Sequence, residues 1–419
     1  MRLLVPTIQS ICSTAQQAAR SLLDMPEKKI NKALITLADS IQNNRRFLAE
    51  ENLKDIRAAK KKRISAAMID RLTLSDTVIA SMIKGLHEVA ALKSPVGITY
   101  DKRIRPNGLT IHKTKVPIGV IGIIYESRPN VTVDAAAICL KSQNAVILRG
   151  GSEAIYSNSA LAGLFSKALR KAGLPAKAVQ LIPTTDRAAI EILVKQADTV
   201  DLIIPRGGES LIRTVVEHSH IPVIKHYKGN CHIYVSRYAD MKIALPVVIN
   251  AKVQRPGVCN AMETVIIDKK LPVKHQKTLV SQLLKNGVAL YGDAHIRSLH
   301  TGIKKATEKD WYAEYLDLRL AVKSVTTITE AITHINTYGS RHTEAIISTS
   351  EKEIDQFLRQ VDSSSLMVNT STRFADGGEY GMGCEIGIST DKLHARGPMG
   401  VEDLTTYKWI VRGTGQVRG

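Results

Sequence analysis

One cysteine lies in a sequence context that could present a nucleophilic thiolate. Cys259 belongs to the segment Gln254–Thr264, in which a proline and a glycine predict a loop that leads into the apolar strand Val265–Ile267. A thiol at a strand edge can face a cleft, where nearby cations or helix-end amides lower its pKa. The alternative is a small buried hydrophobic residue, the usual role of a free cysteine. We assign that role to Cys139, which lies in an apolar run.

Two loops of nearly identical sequence could bind phosphate groups. Arg149-Gly150-Gly151-Ser152 follows an apolar run at 145–148, Arg206-Gly207-Gly208 follows another at 201–205, and each leads into a predicted helix. Glycine lets the backbone approach a ligand, a helix N-terminus offers unpaired N–H groups, and arginine adds positive charge. Tight strand-to-helix turns would explain either loop alone. Because two such loops end successive strands, we favour anion binding, although the chain lacks a GxGxxG fingerprint.

A glycine-rich segment, Asn369–Pro398, is a third candidate for a functional loop. It carries cations on both sides of its glycine cluster, including Arg373 and Arg396. Ordering so many glycines costs backbone entropy, which long functional loops tolerate. A flexible surface loop is the alternative, and composition alone leaves both interpretations open.

The surrounding sequence predicts the elements that position these residues. Apolar residues recur at helical spacing from 8 to 92, which predicts a helical opening segment. Residues 98–116 predict a hairpin around Pro106-Asn107-Gly108 that could pair with another subunit. Short apolar runs then alternate with helical stretches from 118 to 204 and again from 232 to 400. This alternation predicts an α/β protein with a doubly wound nucleotide-binding domain and a second α/β domain.

The composition indicates an ordinary globular chain of two or three domains. Of the 419 residues, 44% are hydrophobic and 23% charged, and no apolar run approaches the roughly 20 residues needed to cross a bilayer. Because the N-terminus also lacks a secretory signal, we predict a cytoplasmic protein with no membrane partner. The five cysteines include no CxxC pair, which predicts free thiols and no metal site.

The net charge of +19 is compatible with an anionic partner such as nucleic acid. Aromatic residues make up only 4% of the chain, however, which leaves few platforms for stacking on bases. Much of the charge lies in helical surface patterns such as Lys60-Lys61-Lys62-Arg63. We therefore attribute the excess to solvated helix faces and expect no nucleic-acid partner.

Five segments resemble the γ-glutamyl phosphate reductase family of the aldehyde dehydrogenase superfamily. They are Tyr125–Thr132, Ala145–Glu153, Pro205–Ser210, Gln254–Thr264 and Leu393–Gly400. The resemblance spans nearly the whole chain and implies an aldehyde dehydrogenase-like α/β fold. The NADPH-binding domain would comprise residues 1–97 and 117–231, and the catalytic domain residues 232–400. A small oligomerisation element would combine the hairpin at 98–116 with the tail at 401–419, which implies a homo-oligomer.

The resemblance implies reduction of L-glutamyl 5-phosphate by NADPH to L-glutamate 5-semialdehyde and phosphate, the second step of proline biosynthesis from glutamate. Cys259 matches the nucleophile of the family, which forms a thioester before hydride transfer. Ser127 or Asn130 would supply a side-chain donor to the oxyanion, and the sequence leaves that choice open. The kinase that makes the acyl phosphate would be a functional partner.

The same resemblance assigns the binding residues. The two Arg-Gly-Gly loops, Gly229 and Glu314 would hold the cofactor, and Arg149 would favour NADPH by binding its 2′-phosphate. Four arginines of the matched loops are candidates for the phosphate and α-carboxylate of the substrate: Arg128, Arg255, Arg373 and Arg396.

One absence separates this chain from hydrolytic aldehyde dehydrogenases. Those enzymes carry a Glu-Leu-Gly-Gly stretch whose glutamate activates water, whereas the corresponding stretch here resembles His226-Tyr227-Lys228-Gly229. A water-activating base would destroy an acyl-enzyme that awaits hydride, so its loss fits the reduction of an acyl phosphate.

The chain also departs from the family pattern at Gln143, where glycine is usual, and at Cys384, where alanine is more common. The nearest alternative to this functional assignment is another acyl-reducing member of the superfamily, one that uses a coenzyme A thioester as its substrate.

Overall fold

The computed structural model describes residues 4–418. Within them lie the helices α1 Leu4–Leu22, α2 Glu27–Asn43, α3 Arg45–Lys61, α4 Ala66–Leu72, α5 Asp76–Ala91, α6 Val131–Lys141, α7 Ile155–Ala172, α8 Ala188–Leu193, α9 Glu209–His218, α10 Met241–Val253, α11 Val273–Lys285, α12 Ala294–Arg297, α13 Glu308–Trp311, α14 Ile328–Tyr338 and α15 Glu351–Gln360. The strands are β1 Thr99–Ile104, β2 Thr110–Pro117, β3 Val120–Tyr125, β4 Ala145–Arg149, β5 Val179–Leu181, β6 Leu202–Arg206, β7 Cys231–Val235, β8 Met262–Asp268, β9 Ala289–Gly292, β10 Lys304–Lys305, β11 Arg319–Val325, β12 Thr343–Ile347, β13 Ser365–Val368, β14 Gly387–Ser389, β15 Gly397–Met399 and β16 Thr405–Arg412. None of these helices is long and apolar enough to cross a membrane.

The predicted nucleotide-binding sheet is a parallel sheet of four strands in the order β5-β4-β3-β6. Successive side chains of a strand point to opposite faces, so β3 contributes to two cores. Ile121 and Ile123 pack in the core that includes α2 and α5–α7. Val120 and Ile124 pack in the core that includes α1 and α8. Each fully buried aliphatic side chain contributes roughly 1.5–3 kcal/mol, which explains the apolar strand sequences.

The second α/β region is a parallel sheet of seven strands in the order β10-β9-β11-β8-β7-β12-β13. The helices α10 and α11 contribute to the core on one face, and α14 and α15 contribute to the core on the other. The sequence predicts a strand at 324–327, but β11 runs from Arg319 to Val325 and the chain turns immediately afterwards. Strand β7 and its neighbours β8 and β12 lie in the middle part of this sheet, and they position the loops that lead into them.

The hairpin predicted around Pro106-Asn107-Gly108 is present as β1 and β2, and Gly108 has a φ of +84°. The C-terminal strand β16 pairs antiparallel with β2 along its whole length, giving a separate three-stranded sheet. The segment from 386 to 400 falls within the predicted bounds of the catalytic domain. Its buried residues, including Ile386 and Met399, pack in the core of the four-stranded sheet, and β14 and β15 pair with each other and not with the seven-stranded sheet.

Candidate active site

Cys259 lies in the loop between α10 and β8, and its side chain is partly exposed. A fully buried ion pair closes the base of this loop: Lys252 Nζ at the end of α10 lies 2.6 Å from Glu263 Oε2 at the start of β8. The Cys231 thiol donates to the Cys259 carbonyl oxygen at 3.2 Å. Asn260 Nδ2 donates to the Ala375 carbonyl oxygen at 2.9 Å. The thiol is therefore presented by a backbone that is fixed on both sides.

Gly229 packs closely against this loop. A Cβ atom at Gly229 would lie 1.9 Å from the Cys259 carbonyl oxygen and 2.4 Å from its Cα, so only glycine fits. The Gly229 N–H donates to Glu314 Oε1 at 2.8 Å. Partial burial raises the pKa of this carboxyl group. The structure thus brings Gly229 and Glu314, which the sequence predicts as cofactor residues, directly beside the cysteine loop.

An arginine-rich cleft of about 390 Å³ opens next to the cysteine loop. Arg128, Asn130, Arg255 and Val258 line it together with Arg71, which comes from the N-terminal helical segment. The pKa of Arg128 is lowered, first by partial burial and then by the nearby charges of Arg206, Arg71 and Arg255. The Cys259 sulfur is close enough to Arg128 to act on it electrostatically in the opposite sense. Sequence reasoning missed Arg71, because nothing in its own segment distinguishes it from a solvated helix residue.

The other two predicted substrate arginines lie in different surroundings. Arg373 donates through Nε to Gln254 Oε1 at 2.9 Å and through Nη1 to Asn260 Oδ1, so it contacts the cysteine loop itself. Partial burial lowers its pKa, and the charge of Arg255 adds to that effect. Arg396 instead forms an ion pair of 2.7 Å with Asp362. The geometry therefore groups Arg373, but not Arg396, with the cysteine loop.

The two candidates for the oxyanion donor differ in availability. Ser127 has a φ of +47°, and both its N–H and its hydroxyl donate to Glu153 Oε1, at 2.6 and 2.8 Å. Asn130 lines the arginine cleft, and its Nδ2 donates one hydrogen bond, to Asp134 Oδ2 at 2.8 Å. An amide group carries two N–H donors, so Asn130 retains one for a ligand. Between the two, the geometry favours Asn130.

The first Arg-Gly-Gly loop follows β4 as predicted, and Arg149 is almost fully buried there. Its guanidinium donates to the carbonyl oxygens of Gly150 at 2.9 Å and Asp186 at 3.3 Å. Its buried Nε has no hydrogen-bond partner among the described residues. Gly151 packs against the folded-back carboxylate of Glu153, whereas the neighbouring Ser152 is exposed. An unsatisfied buried donor in this loop is compatible with an anionic ligand.

The second loop is already occupied by a carboxylate of the chain. It follows β6, and the Gly208 N–H at the start of α9 donates to Glu126 Oε2 at 2.8 Å. A Cβ at Gly207 would lie 2.5 Å from the same oxygen. The side chain of Arg206 packs instead against Gly387 of β14. The two loops are therefore similar in sequence but differ in what their helix-end amides contact.

Two histidines that the sequence did not single out as functional lie beside Cys259. A ring nitrogen of His226, a ring nitrogen of His342 and the Cys259 sulfur all lie within 4.8 Å of one another. His342 is fully buried, and burial lowers its pKa to about 4, so it is neutral at physiological pH. No local spacing signal could have found this group, because its members come from three separate loops.

Comparison with known proteins gives one consistent result. A model of the aldehyde dehydrogenase family matches residues 5–297. The γ-glutamyl phosphate reductase of Geotalea daltonii is 53% identical over 411 residues, which cover 98% of each protein. The crystal structure of γ-glutamyl phosphate reductase from Thermotoga maritima has a TM-score of 0.96 at 41% identity and covers 98% of this chain and 100% of that one. At 16% identity, an engineered glycolyl-CoA reductase with bound NADP⁺ shares the fold, with a TM-score of 0.67 over 96% of each chain.

Proposed function

The chain belongs to the aldehyde dehydrogenase family and, within it, to the γ-glutamyl phosphate reductases, and on this basis we propose that it reduces L-glutamyl 5-phosphate with NADPH. The products are L-glutamate 5-semialdehyde and phosphate, which places the chain in proline biosynthesis from glutamate. The observation that carries the proposal is the cleft in which Arg71, Arg128 and Arg255 converge beside the Cys259 loop. This cleft offers cations to a phosphate and a carboxylate next to a nucleophile.

Cys259 performs the acyl transfer in this proposal. Its thiolate attacks the carbonyl carbon of the acyl phosphate and forms a C–S bond and a tetrahedral oxyanion. The oxyanion collapses, the C–O bond to phosphate breaks, and phosphate leaves with the electron pair. Arg128 and Arg373 carry positive charge near the sulfur, so they stabilise both the thiolate and the leaving group. After reduction, Cys259 is released again as the thiolate when the aldehyde departs.

The oxyanion would be held by the backbone N–H of Cys259 and the free amide hydrogen of Asn130. Each such donor contributes about 3–4 kcal/mol to the stabilisation of the transition state. Ser127 would act on the cofactor site indirectly, because its N–H and its hydroxyl both hold Glu153 at the end of the first Arg-Gly-Gly loop. We therefore assign Asn130 to the oxyanion and Ser127 to the support of the cofactor loop.

The residues predicted to bind the cofactor would together hold a nicotinamide dinucleotide phosphate. When bound, that cofactor supplies the hydride that reduces the thioester. Arg149 would hold the 2′-phosphate through its unpaired Nε, and the exposed Ser152 would add a hydroxyl donor. Glu314, with one oxygen on the Gly229 N–H, would accept hydrogen bonds from a ribose. The helix-end amide of Gly208 would have to exchange Glu126 for a phosphate to contribute.

Three further proposals concern partners and location. The three-stranded sheet exposes Ile104, Trp409 and Val411, and we propose that it pairs subunits of a homo-oligomer. We propose functional coupling to the kinase that makes the acyl phosphate, because a mixed anhydride is lost to water when it diffuses freely. We propose a cytoplasmic location, in keeping with five cysteines that are all free.

The test follows NADPH absorbance with freshly made L-glutamyl 5-phosphate and then runs the reverse reaction with NADP⁺ and semialdehyde. We expect activity in the wild type, loss of at least 1,000-fold in Cys259→Ala, and near wild-type rates in Cys384→Ala, a matched control whose thiol packs beside Gly85 of α5. The reverse reaction should depend on inorganic phosphate. A reverse reaction that runs on coenzyme A and ignores phosphate would show that the acyl donor is a thioester.

A further inference from the structure

We propose that His226, Cys259 and His342 form a zinc-binding site, in which one Zn²⁺ ion holds the nucleophilic sulfur and reversibly inhibits the enzyme. The sequence predicts no metal site, because the three residues share no short spacing. In the structure, however, one potential ligand atom from each lies within 4.8 Å of the other two. Zinc coordinates sulfur at about 2.3 Å and imidazole nitrogen at about 2.0–2.1 Å, so its ligand atoms are roughly 3.3–3.7 Å apart. A rotation of the partly exposed Cys259 side chain would bring its sulfur to such a distance.

The histidines are held as metal-ligating histidines usually are. His226 Nδ1 lies 2.9 Å from the Ile388 carbonyl oxygen. A carbonyl can only accept, so Nδ1 carries the hydrogen and Nε2 carries the free lone pair. An outer hydrogen bond of this kind fixes the ring and increases its basicity as a ligand.

His342 supplies an independent sign of a missing ligand. Its side chain is fully buried, and its Nε2 has no hydrogen-bond partner among residues 4–418. Its Nδ1 lies 2.9 Å from Thr343 Oγ1, which accounts for the other ring nitrogen. A buried polar atom without a partner is unusual in a folded protein. Zinc coordination would satisfy it.

The surrounding charges and the ligand types select the kind of metal. The carboxyl groups of Glu385 and Glu314 lie near enough to His342 to favour a cation there. Arg128 and Arg373 act near Cys259 in the opposite sense and weaken binding. One thiolate and two imidazoles suit zinc, cobalt or copper and do not suit magnesium or calcium. Three protein ligands leave a fourth position for water, as in open zinc sites.

Inhibition follows from the bond that the sulfur makes. Coordination uses a sulfur lone pair, the thiol proton passes to solvent, and no electrons are transferred. A metal-bound sulfur cannot attack the acyl carbonyl, so the zinc form cannot make the thioester. This consequence rests on the proposed function of Cys259, whereas metal binding itself does not.

The test measures metal binding directly, so it remains valid whatever the enzyme's substrate proves to be. Purified full-length protein, kept reduced with a phosphine because thiol reductants bind zinc, is titrated with Co²⁺ and then with Zn²⁺ against a chromophoric chelator. We expect one ion per chain, a sulfur-to-cobalt charge-transfer band, and displacement of cobalt by zinc. Mg²⁺ should not compete. In the reductase assay, zinc should inhibit and excess chelator should restore the rate.

Variants distinguish this site from other metal-binding residues. Cys259→Ser should abolish the charge-transfer band, and His226→Gln and His342→Gln should each weaken zinc binding at least tenfold. His226 is partly exposed, so its variant tests the site even where the buried His342 variant fails to fold. His87→Gln, on the exposed face of α5, is the matched control and should bind as the wild type does. Unchanged binding in Cys259→Ser or His226→Gln, or no stoichiometric binding by the wild type, would overturn the proposal.

Discussion

Replacement of Gly229 by alanine tests whether the loop that presents the thiol has any freedom to move. The added Cβ would lie 2.4 Å from the Cys259 Cα. Carbon atoms that are not bonded prefer separations of about 3.5–4.0 Å, so one backbone must shift by about 1 Å or more. A misplacement of about 1 Å costs on the order of 100-fold in rate, equivalent to about 2.7 kcal/mol in the transition state. The Gly229 N–H would also be drawn away from Glu314.

The assay is the initial rate of NADPH consumption over a range of substrate concentrations, with the melting temperature measured on the same protein. We expect kcat/KM to fall at least 100-fold in Gly229→Ala. The matched control is Gly163→Ala in α7, where an added Cβ meets nothing within 4 Å. That variant should keep its activity and gain about 0.5–1 kcal/mol in stability, because alanine replaces glycine inside a helix. A Gly229→Ala enzyme with wild-type kcat/KM would refute the idea that contact at Gly229 fixes the nucleophile.

Three further predictions concern charge. Lys252→Met should lower the free energy of unfolding, measured with urea, by about 3–5 kcal/mol, because it leaves the buried Glu263 unpaired. The double variant Lys252→Met/Glu263→Leu should recover most of that loss, because it removes both charges. Burial raises the pKa of Asp134 to about 6. Since its unfolded pKa is near 3.9, the folded state binds the proton more tightly, and the free energy of unfolding should fall by about 2 kcal/mol as the pH rises from 4 to 6. Asp134→Asn should remove that slope, and an identical slope in both proteins would contradict the assignment. Arg149→Ala should abolish the preference for NADPH over NADH in initial rates; an unchanged preference excludes Arg149 from binding the 2′-phosphate.

The sequence predicted the apolar framework well because burial leaves a local signal. The run at 145–148 is β4, the run at 201–205 is β6, and the helical spacing before residue 92 gives α1–α5. Strand β7 was not predicted as a strand, since it contains a buried histidine. In the structure, His232 Nδ1 lies 3.0 Å from the equally buried Glu344, a residue on a neighbouring strand. The hydrogen bond between such a pair forms only when the two strands have paired in the sheet. The sequence of either strand alone therefore does not predict it.

The candidate site, like the fold, could be predicted only where the signal lies within one segment of the sequence. The segment around Cys259 identified a presented thiol, and family resemblance indicated Arg128, Arg255 and Arg373, which the structure brings to that loop. Their individual roles stay predictions. Arg71 and His342 could not be predicted, because their positions depend on the packing of elements far apart in the chain.

Gln143 shows what a departure from the family pattern does physically. It has a φ of +59°, in the left-handed region that glycine adopts at little cost. The cost of placing a side chain there is about 1–2 kcal/mol. The Gln143 amide donates to the Met25 carbonyl oxygen at 3.0 Å, and a hydrogen bond of this kind returns about 0.5–1.5 kcal/mol. Glutamine at this position therefore carries a conformational cost, and it gains a hydrogen bond that connects the loop before β4 to the turn between α1 and α2.

The arginine cleft gives a physical reason for preferring an acyl phosphate to a coenzyme A thioester. Arg71, Arg206 and Arg255 all act on Arg128 repulsively, and among residues 4–418 none of these four forms an ion pair with a carboxylate. Folding therefore holds these charges together with no carboxylate in direct ion-pair contact, and only Asp70 and Asp134 among the residues that line the cleft are acidic. A phosphate attached to the reacting carbonyl would neutralise them at the point where Cys259 is proposed to attack. A thioester carries no anion at that position and would leave the repulsion in place throughout the acyl transfer.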